Sequence, residues 1–282
     1  MTNTNSKQAG AIARFRTLHE SGCFLLPNPW DVGTALYLQH LGFSALATTS
    51  SGYAFARGLP DTVSALQLDD VITHFRDIAI ATSLPVNADF QSGYAHDPEG
   101  VAANVARCIE TGIAGLSIED ATGNDAMPLY EPKLAIERIR AARTAIDAAS
   151  NQVVLTARCE AWLTGEADPL HVALDRLVAF ADAGADCLYA PGVSDPAEIA
   201  TIVRAVSPKP VNILISRPNP ELTMSRLADL GVRRVSVGSA LARVAWGAFM
   251  RAARNLAEED SFDAFTDAAP FTELNDLFRK RG

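Results

Sequence analysis

Four short runs carry most of the residues able to do chemistry: Thr49-Ser50-Ser51-Gly52-Tyr53, Asn87-Ala88-Asp89-Phe90-Gln91, Glu119-Asp120 and Arg158-Cys159-Glu160. Each ends or follows a short apolar stretch. Side chains alternate along an extended chain, so Asn87, Asp89 and Gln91 share one face of their segment, and Thr156, Arg158 and Glu160 share a face of theirs. Set side by side, Asp89 and Glu119 present hard oxygen groups of the kind that suits Mg2+ or Mn2+. Without a cation, crowded carboxylates raise each other's pKa. Arg158 adds a planar fork that matches a carboxylate. Taken singly, Asp89 and Glu119 are as well explained as caps of the helices that follow. A pair of caps needs no arginine, whereas a site for a small chelating anion does.

These runs need a frame that brings their ends together. Eight apolar segments, at 24–27, 44–49, 85–90, 115–119, 153–159, 186–190, 210–215 and 233–237, read as strands covered on both faces. Between them lie amphipathic stretches such as 64–81, 98–111, 132–148 and 169–183, three of which open at proline, as a first helical turn allows. Glycine marks the return from helix to strand in "TGIAGLSIED", "AGADCLYAPG" and "LGVRRVSVGS". Repeated βα units of this kind predict an α/β protein, a (β/α)8 TIM barrel whose active site forms at the carboxyl ends of the strands. Further helices are expected at 6–20 and 239–258, and the whole of 1–282 is expected to form a single barrel domain with these extensions. A doubly wound open sheet fits less well, because no GxGxxG follows an early strand.

Bulk properties narrow the function. With 282 residues, 48% of them hydrophobic, the chain can bury a large core. Its 33 acidic residues outnumber 24 basic ones, and no basic run could follow a phosphate backbone, which argues against nucleic acid. No apolar stretch approaches the roughly 20 residues of a membrane span and no secretory start is evident, so a cytoplasmic protein is expected. Cys23, Cys108, Cys159 and Cys187 lie too far apart for CxxC pairing and are expected to pack as small apolar groups. Of the five histidines, only His96 is expected near the opening, and Trp30, Tyr53 and Tyr189 are candidates for the pocket wall.

The run "NADFQSGYAHDPEGVAANVARCIETGIAGLSIEDATG" resembles the metal-site segment of the isocitrate lyase and phosphoenolpyruvate mutase superfamily, and "TARCEAWL" resembles its ARxEA strand. "PNPWD", "TTSSGYAFARGLPD" and "RRVSVGSALARVAWGAF" fit the same superfamily in the same order. The resemblance implies a (β/α)8 barrel whose eighth helix is often exchanged between subunits, and a Mg2+ site that holds a 2-oxo acid or its enolate. By position, Asp89 matches the direct metal ligand and Glu119 a further acid of the metal shell. Arg158 matches the substrate-binding arginine, Asp61 an acid near the metal, and Ser51 with Gly52 the loop that holds the substrate carboxylate. Thr49 and Tyr53 flank that loop, and Asn212, on the seventh strand, could reach the substrate or satisfy a buried amide.

Two departures from the superfamily pattern matter. Its DxDxGYG motif stands here as Asp89-Phe90-Gln91-Ser92-Gly93-Tyr94-Ala95, so Gln91 makes one metal-shell interaction neutral. The KKCGH-type loop of isocitrate and methylisocitrate lyases, with its cysteine acid, is replaced by "ATGNDAMPLYEPK", where Asn124 is most simply a solvent turn. The expected function is therefore a Mg-dependent lyase that cleaves a small 2-oxo or 2-hydroxy dicarboxylate through a metal-stabilised enolate. Oxaloacetate decarboxylation is the simplest case, since loss of CO2 needs no base and solvent can protonate the product. Alternatives are phosphonopyruvate mutase or hydrolase chemistry at the P–C bond, and a non-catalytic 2-oxo acid binder. A homo-oligomer, dimer or tetramer, is expected from the apolar helix near the end.

Overall fold

The computed structural model describes residues 2–149, 151–259 and 261–279. The chain runs α1 (Thr2–Glu20), β1 (Phe24–Leu26), α2 (Val32–His40), β2 (Leu46–Ala47), α3 (Ser50–Ala56), α4 (Leu68–Ala81), β3 (Val86–Asp89), α5 (Pro98–Ile109), β4 (Gly115–Glu119) and α6 (Pro132–Ala148). It continues through β5 (Val154–Arg158), α7 (Pro169–Asp182), β6 (Cys187–Tyr189), α8 (Pro196–Val206), β7 (Val211–Leu214), α9 (Met224–Asp229), β8 (Arg234–Ser236), α10 (Ala240–Glu258) and α11 (Phe271–Arg279). All eight strands are parallel, in the order β1-β8-β7-β6-β5-β4-β3-β2. The remaining seam between β1 and β2 is bridged where Ala47 N donates to Pro27 O at 3.0 Å. The expected (β/α)8 barrel is thus the observed fold. Each strand lies within its predicted segment.

Local chemistry sets where the helices begin. Asp97, Asp168 and Asp195 each accept hydrogen bonds from backbone N–H groups of the helix that follows, and each is succeeded by proline at the first helical position. Such a cap is worth about 1 kcal/mol. The stretch 64–81 is not helical throughout: the chain turns before Leu68, and α4 starts there with Asp69 and Asp70 in its first turn. The short α3 directly after β2, by contrast, was not expected.

Helix α1 lies under the amino ends of the strands. Its Phe15 is fully buried, and a Cβ at Gly115 would come within 2.6 Å of that ring, so a side chain there would push the plug out. Gln8 Nε2 donates to Ile109 O at 2.8 Å and Ile113 O at 3.1 Å, which satisfies carbonyls at the end of α5 and in the connection to β4. The barrel opens at its other end. No helix among the described residues is long and apolar enough to cross a membrane.

Helix α10 is amphipathic, yet Ala242 is its one buried residue. Val244 and Phe249 are 69% and 62% exposed, and Phe262 and Phe271 beyond the helix are exposed as well. Helix α11 returns to pack on α2, with the Phe278 ring near Gly33.

Candidate active site

At the carboxyl ends of the strands lies a cavity of 360 Å3, lined from every side of the barrel. Its acidic wall is built by β3, β4 and β5, and Arg158 is its centre. Arg158 Nη1 lies 2.8 Å from Asp89 Oδ1, Nη2 lies 3.1 Å from Glu119 Oε2, and Nε lies 2.9 Å from Glu160 Oε1. Parallel register places Glu119 beside Arg158, and alternation along the chain keeps Glu160 on the same side as Arg158.

Each partner is itself held. Asp89 Oδ2 accepts from both the backbone N–H and the hydroxyl of Ser50, each at 2.8 Å. The Asp89 N–H donates to Thr48 Oγ1 at 2.8 Å. Behind Glu160, the buried Asp120 accepts from the Glu160 N–H at 2.9 Å and pairs with Arg176 at 3.1 Å. Burial pushes the Glu119 carboxyl up to about 8, against the pull of Arg158 and with help from Glu160 and Asp89. Burial raises Glu160 likewise. For Arg158, burial works against the charge, but Glu160, Glu119 and Asp89 together outweigh it and hold the guanidinium charged.

The donors present are oxygen-rich. Gln91, lining the cavity beside Asp89 and Glu119, sits at φ +45°, and its Oε1 is buried with no hydrogen-bond partner. Asn87 Oδ1, deeper on the same strand, is also buried and unpaired. An orphaned buried acceptor is costly, by about 1–3 kcal/mol, and Gln91 Oε1 beside the carboxylates fits a hard cation. Among the described residues no three Asp, Glu, His or Cys side chains converge on one cation site, because the Arg158 guanidinium stands between the acids.

The structure brings most of the other predicted residues to the same cavity. Thr49 lines it and caps α3, its hydroxyl accepting from Gly52 N at 3.2 Å. Ser51 donates to Asp61 Oδ2 at 2.5 Å, and both line the mouth. Asn212 lines the floor. Gly52 and Tyr53 lie elsewhere. A Cβ on Gly52 would meet Thr49 at 2.7 Å and Ala242 at 3.2 Å, so glycine there permits close packing of α3 and α10. Tyr53 stacks on His74 of α4, with ring centroids 3.8 Å apart, and faces away from the cavity. Its expected place among the substrate contacts is therefore corrected: a helix turns each residue about 100°, which carries Tyr53 off the face that Ser50 and Ser51 present.

Trp30, His96 and Asn124 also lie outside the lining; His96 bonds the Tyr130 hydroxyl at 2.7 Å, and Asn124 accepts from Ala126 N at 3.0 Å. The sequence reading missed Ser50, whose two bonds fix Asp89, and Ser236, which lines the floor. It also missed Arg234, a buried guanidinium in the cavity wall. Ser50 was within sight, since it lies in the run after β2.

Comparison with known proteins agrees with this fold. Residues 15–257 match the family described as phosphoenolpyruvate phosphomutase. A crystal structure from Burkholderia cenocepacia J2315, described as a lyase/mutase, superposes with a TM-score of 0.92 at 46% identity, covering 97% of each chain. The 2-methylisocitrate lyase of Halalkalibacterium halodurans is 27% identical over 259 residues, 89% of this chain and 83% of the relative. The oxaloacetate decarboxylase of Chromohalobacter salexigens is 31% identical over 238 residues, 79% of this chain and 77% of the relative.

Proposed function

The chain belongs to the phosphoenolpyruvate phosphomutase family, in the isocitrate lyase and phosphoenolpyruvate mutase superfamily of lyases and mutases, and we propose that it is a Mg2+- or Mn2+-dependent carbon–carbon lyase of a small 2-oxo or 2-hydroxy dicarboxylate. The observation that carries this reading is Arg158 held among Asp89, Glu119 and Glu160 in a polar cavity. Asp89, Gln91 and Glu119 are the residues that would hold the cation. When bound, the cation supplies positive charge for the oxygen that turns negative as the carbon–carbon bond breaks.

The chain's own residues do the rest. Arg158 grips a substrate carboxylate through two parallel N–H groups, a geometry that a lysine lacks. Ser50 keeps Asp89 pointed into the cavity by spending its N–H and hydroxyl on Oδ2. Asp61 orients the Ser51 hydroxyl at the mouth. Thr49 and Asn212 complete the wall against the substrate.

Decarboxylation of oxaloacetate or a substituted 2-oxo diacid asks least of such a site, and the similarity to an oxaloacetate decarboxylase supports it. Cleavage of a methylisocitrate-like acid needs a proton donor for the departing carbon, and the loop from 121 to 131 contains neither cysteine nor histidine. Phosphorus–carbon chemistry would need groups for a transferring phosphoryl unit, and the same loop offers few. Assay of oxaloacetate, substituted 2-oxo diacids, methylisocitrate and phosphonopyruvate with Mg2+ tests the proposal. A 2-oxo diacid is expected to turn over fastest. Methylisocitrate cleavage at equal or greater rate would overturn the argument from the loop. Binding of oxaloacetate with a raised melting temperature but no product would make the protein a binder.

A further inference from the structure

One register row crosses half the barrel: Glu119 pairs with Arg158, Arg158 with Tyr189, Tyr189 with Asn212, and Asn212 with Arg234. All five line the cavity. Arg158 at one end has three carboxylates around it, whereas Arg234 at the other has none within ion-pair distance among the described residues. The Arg234 guanidinium is 2% exposed and bonds only neutral groups. Its Nε donates to Asn212 Oδ1 at 2.8 Å and its Nη2 to Thr156 Oγ1 at 3.0 Å. Its Nη1 lies 3.4 Å from His19 Nε2. His19 Nδ1 sits 2.7 Å from Phe15 O and must donate there, which leaves Nε2 as the acceptor.

A guanidinium cannot accept a hydrogen bond, so Arg234 fixes the polarity of everything linked to it. With Oδ1 engaged by Arg234, the Asn212 amide turns Nδ2 outward, and Nδ2 donates to Ser236 Oγ at 2.9 Å. The Ser236 hydroxyl, having accepted from Asn212, keeps its own hydrogen for another oxygen, and a side-chain hydrogen bond with Ser236 lowers the Tyr189 phenol. On that polarity Tyr189 accepts from Ser236, and its own O–H is free for a group in the cavity that Tyr189 lines. The Arg158 guanidinium carbon lies 5.0 Å from the centre of the Tyr189 ring.

We propose that Tyr189 is the proton donor of this site, aimed at the substrate by the chain Arg234, Asn212, Ser236. The proposal rests on the lyase reading above and concerns the proton that C3 of a 2-oxo diacid gains once CO2 has left, not the departing carbon of a methylisocitrate-like acid. As the carbon–carbon bond of a 2-oxo diacid breaks, CO2 leaves and the electron pair remains as the enolate. The Tyr189 O–H bond then breaks and a C–H bond forms at C3. The phenolate left behind is stabilised by the Ser236 hydroxyl and by Arg158, and takes its proton back from water at the mouth. Burial pushes the phenol up to about 12, against the pull of Arg158, so it rests protonated at neutral pH; a ketone α-carbon is a far weaker acid still, so the transfer runs downhill.

The test is decarboxylation of 3-methyl-oxaloacetate in D2O, by wild type, Tyr189→Phe and Ser236→Ala loaded with Mg2+. The configuration of the deuterium at C3 of the 2-oxobutanoate formed is read by NMR of a chiral derivative. Wild type should give one configuration. Tyr189→Phe should bind oxalate within threefold of wild type, lose about 100-fold or more in kcat, and give both configurations, because its enolate is protonated by solvent. Ser236→Ala keeps the phenol and should lose about tenfold, the cost of one hydrogen bond, while keeping one configuration. Full stereospecificity and kcat within threefold in Tyr189→Phe would overturn the proposal, as would a mixture from wild type. Absence of wild-type turnover of any 2-oxo diacid would instead remove the lyase reading, and the donor with it.

Discussion

Replacing Arg158 by lysine keeps one positive charge and removes the fork. In the structure the guanidinium reaches Asp89, Glu119 and Glu160 through three different nitrogens; an ammonium is a point charge that can satisfy two of them well at most. Each charge-assisted hydrogen bond lost is worth about 1.5–3 kcal/mol. On the substrate side, exchange of a bidentate grip for a single contact removes one such bond, so kcat/KM should fall by about 10- to 150-fold. On the protein side, one buried carboxylate of the cluster loses its partner and should take up a proton instead, which limits the stability loss to a few kcal/mol rather than unfolding the barrel. The assay is kcat/KM for oxaloacetate with saturating Mg2+, alongside the melting temperature. A variant within threefold of wild type in kcat/KM would show that Arg158 serves the acidic wall and does not hold the substrate.

Chelator treatment should abolish activity, with recovery in Mg2+ or Mn2+; Asp89→Ala should weaken metal binding in calorimetry far more than Gln91→Ala, since only Asp89 is anionic, and equal effects would remove Asp89 from the metal shell. The exposed apolar side of α10, including Val244 and Phe249, should be covered by a second copy of the chain, so light scattering at micromolar concentration should show a dimer or tetramer, and a monomer would contradict the expected helix exchange. His74, buried against Tyr53, has its pKa lowered to about 4 from 6.5 by burial, so the folded state resists protonation while the unfolded chain accepts it. Stability from this group is therefore complete above about pH 6.5 and is lost as pH falls toward 4, by up to about 3 kcal/mol; His74→Phe should flatten that part of the melting-temperature curve, and an unchanged slope would assign it elsewhere.

What the sequence made legible follows from which forces act locally. Strands covered on both faces are continuous apolar runs, and proline marks three of the helix starts, so the barrel and its strand ends could be read directly. Asp89, Glu119 and Arg158 were found together because all three stand at carboxyl ends of adjacent strands. Arg234 escaped the same logic for a geometric reason. It is the first residue of β8, at the end of the strand away from the opening, and only a side chain as long as arginine's can line the cavity from there. Tyr53 failed in the opposite way: its place in the run after β2 assumed an extended loop, whereas the Thr49 cap starts a helix at Ser50.

Arg158 and Arg234 divide the cavity into unlike halves. From β3 to β5 the wall presents carboxylates and unpaired amide oxygens, which attract a cation and repel a bare anion. From β6 to β8 it presents hydrogens, because Arg234 forces Asn212 and then Ser236 to donate onward. A 2-oxo diacid is polar in a matching sense, with chelating oxygens at one end and a carbon that must gain a proton at the other. On the proposed lyase reading, such a substrate is expected to settle in one orientation, its chelating end toward Asp89 and its reacting carbon toward Tyr189. Reversal would set a carbon against the acidic wall and leave Arg158 without a carboxylate. Substitution of Arg234 by methionine, which keeps length and removes the donors, frees the Asn212 amide to rotate. Loss of substrate orientation is then expected before loss of the fold, since the His19 and Thr156 groups it leaves are neutral and each costs only a hydrogen bond.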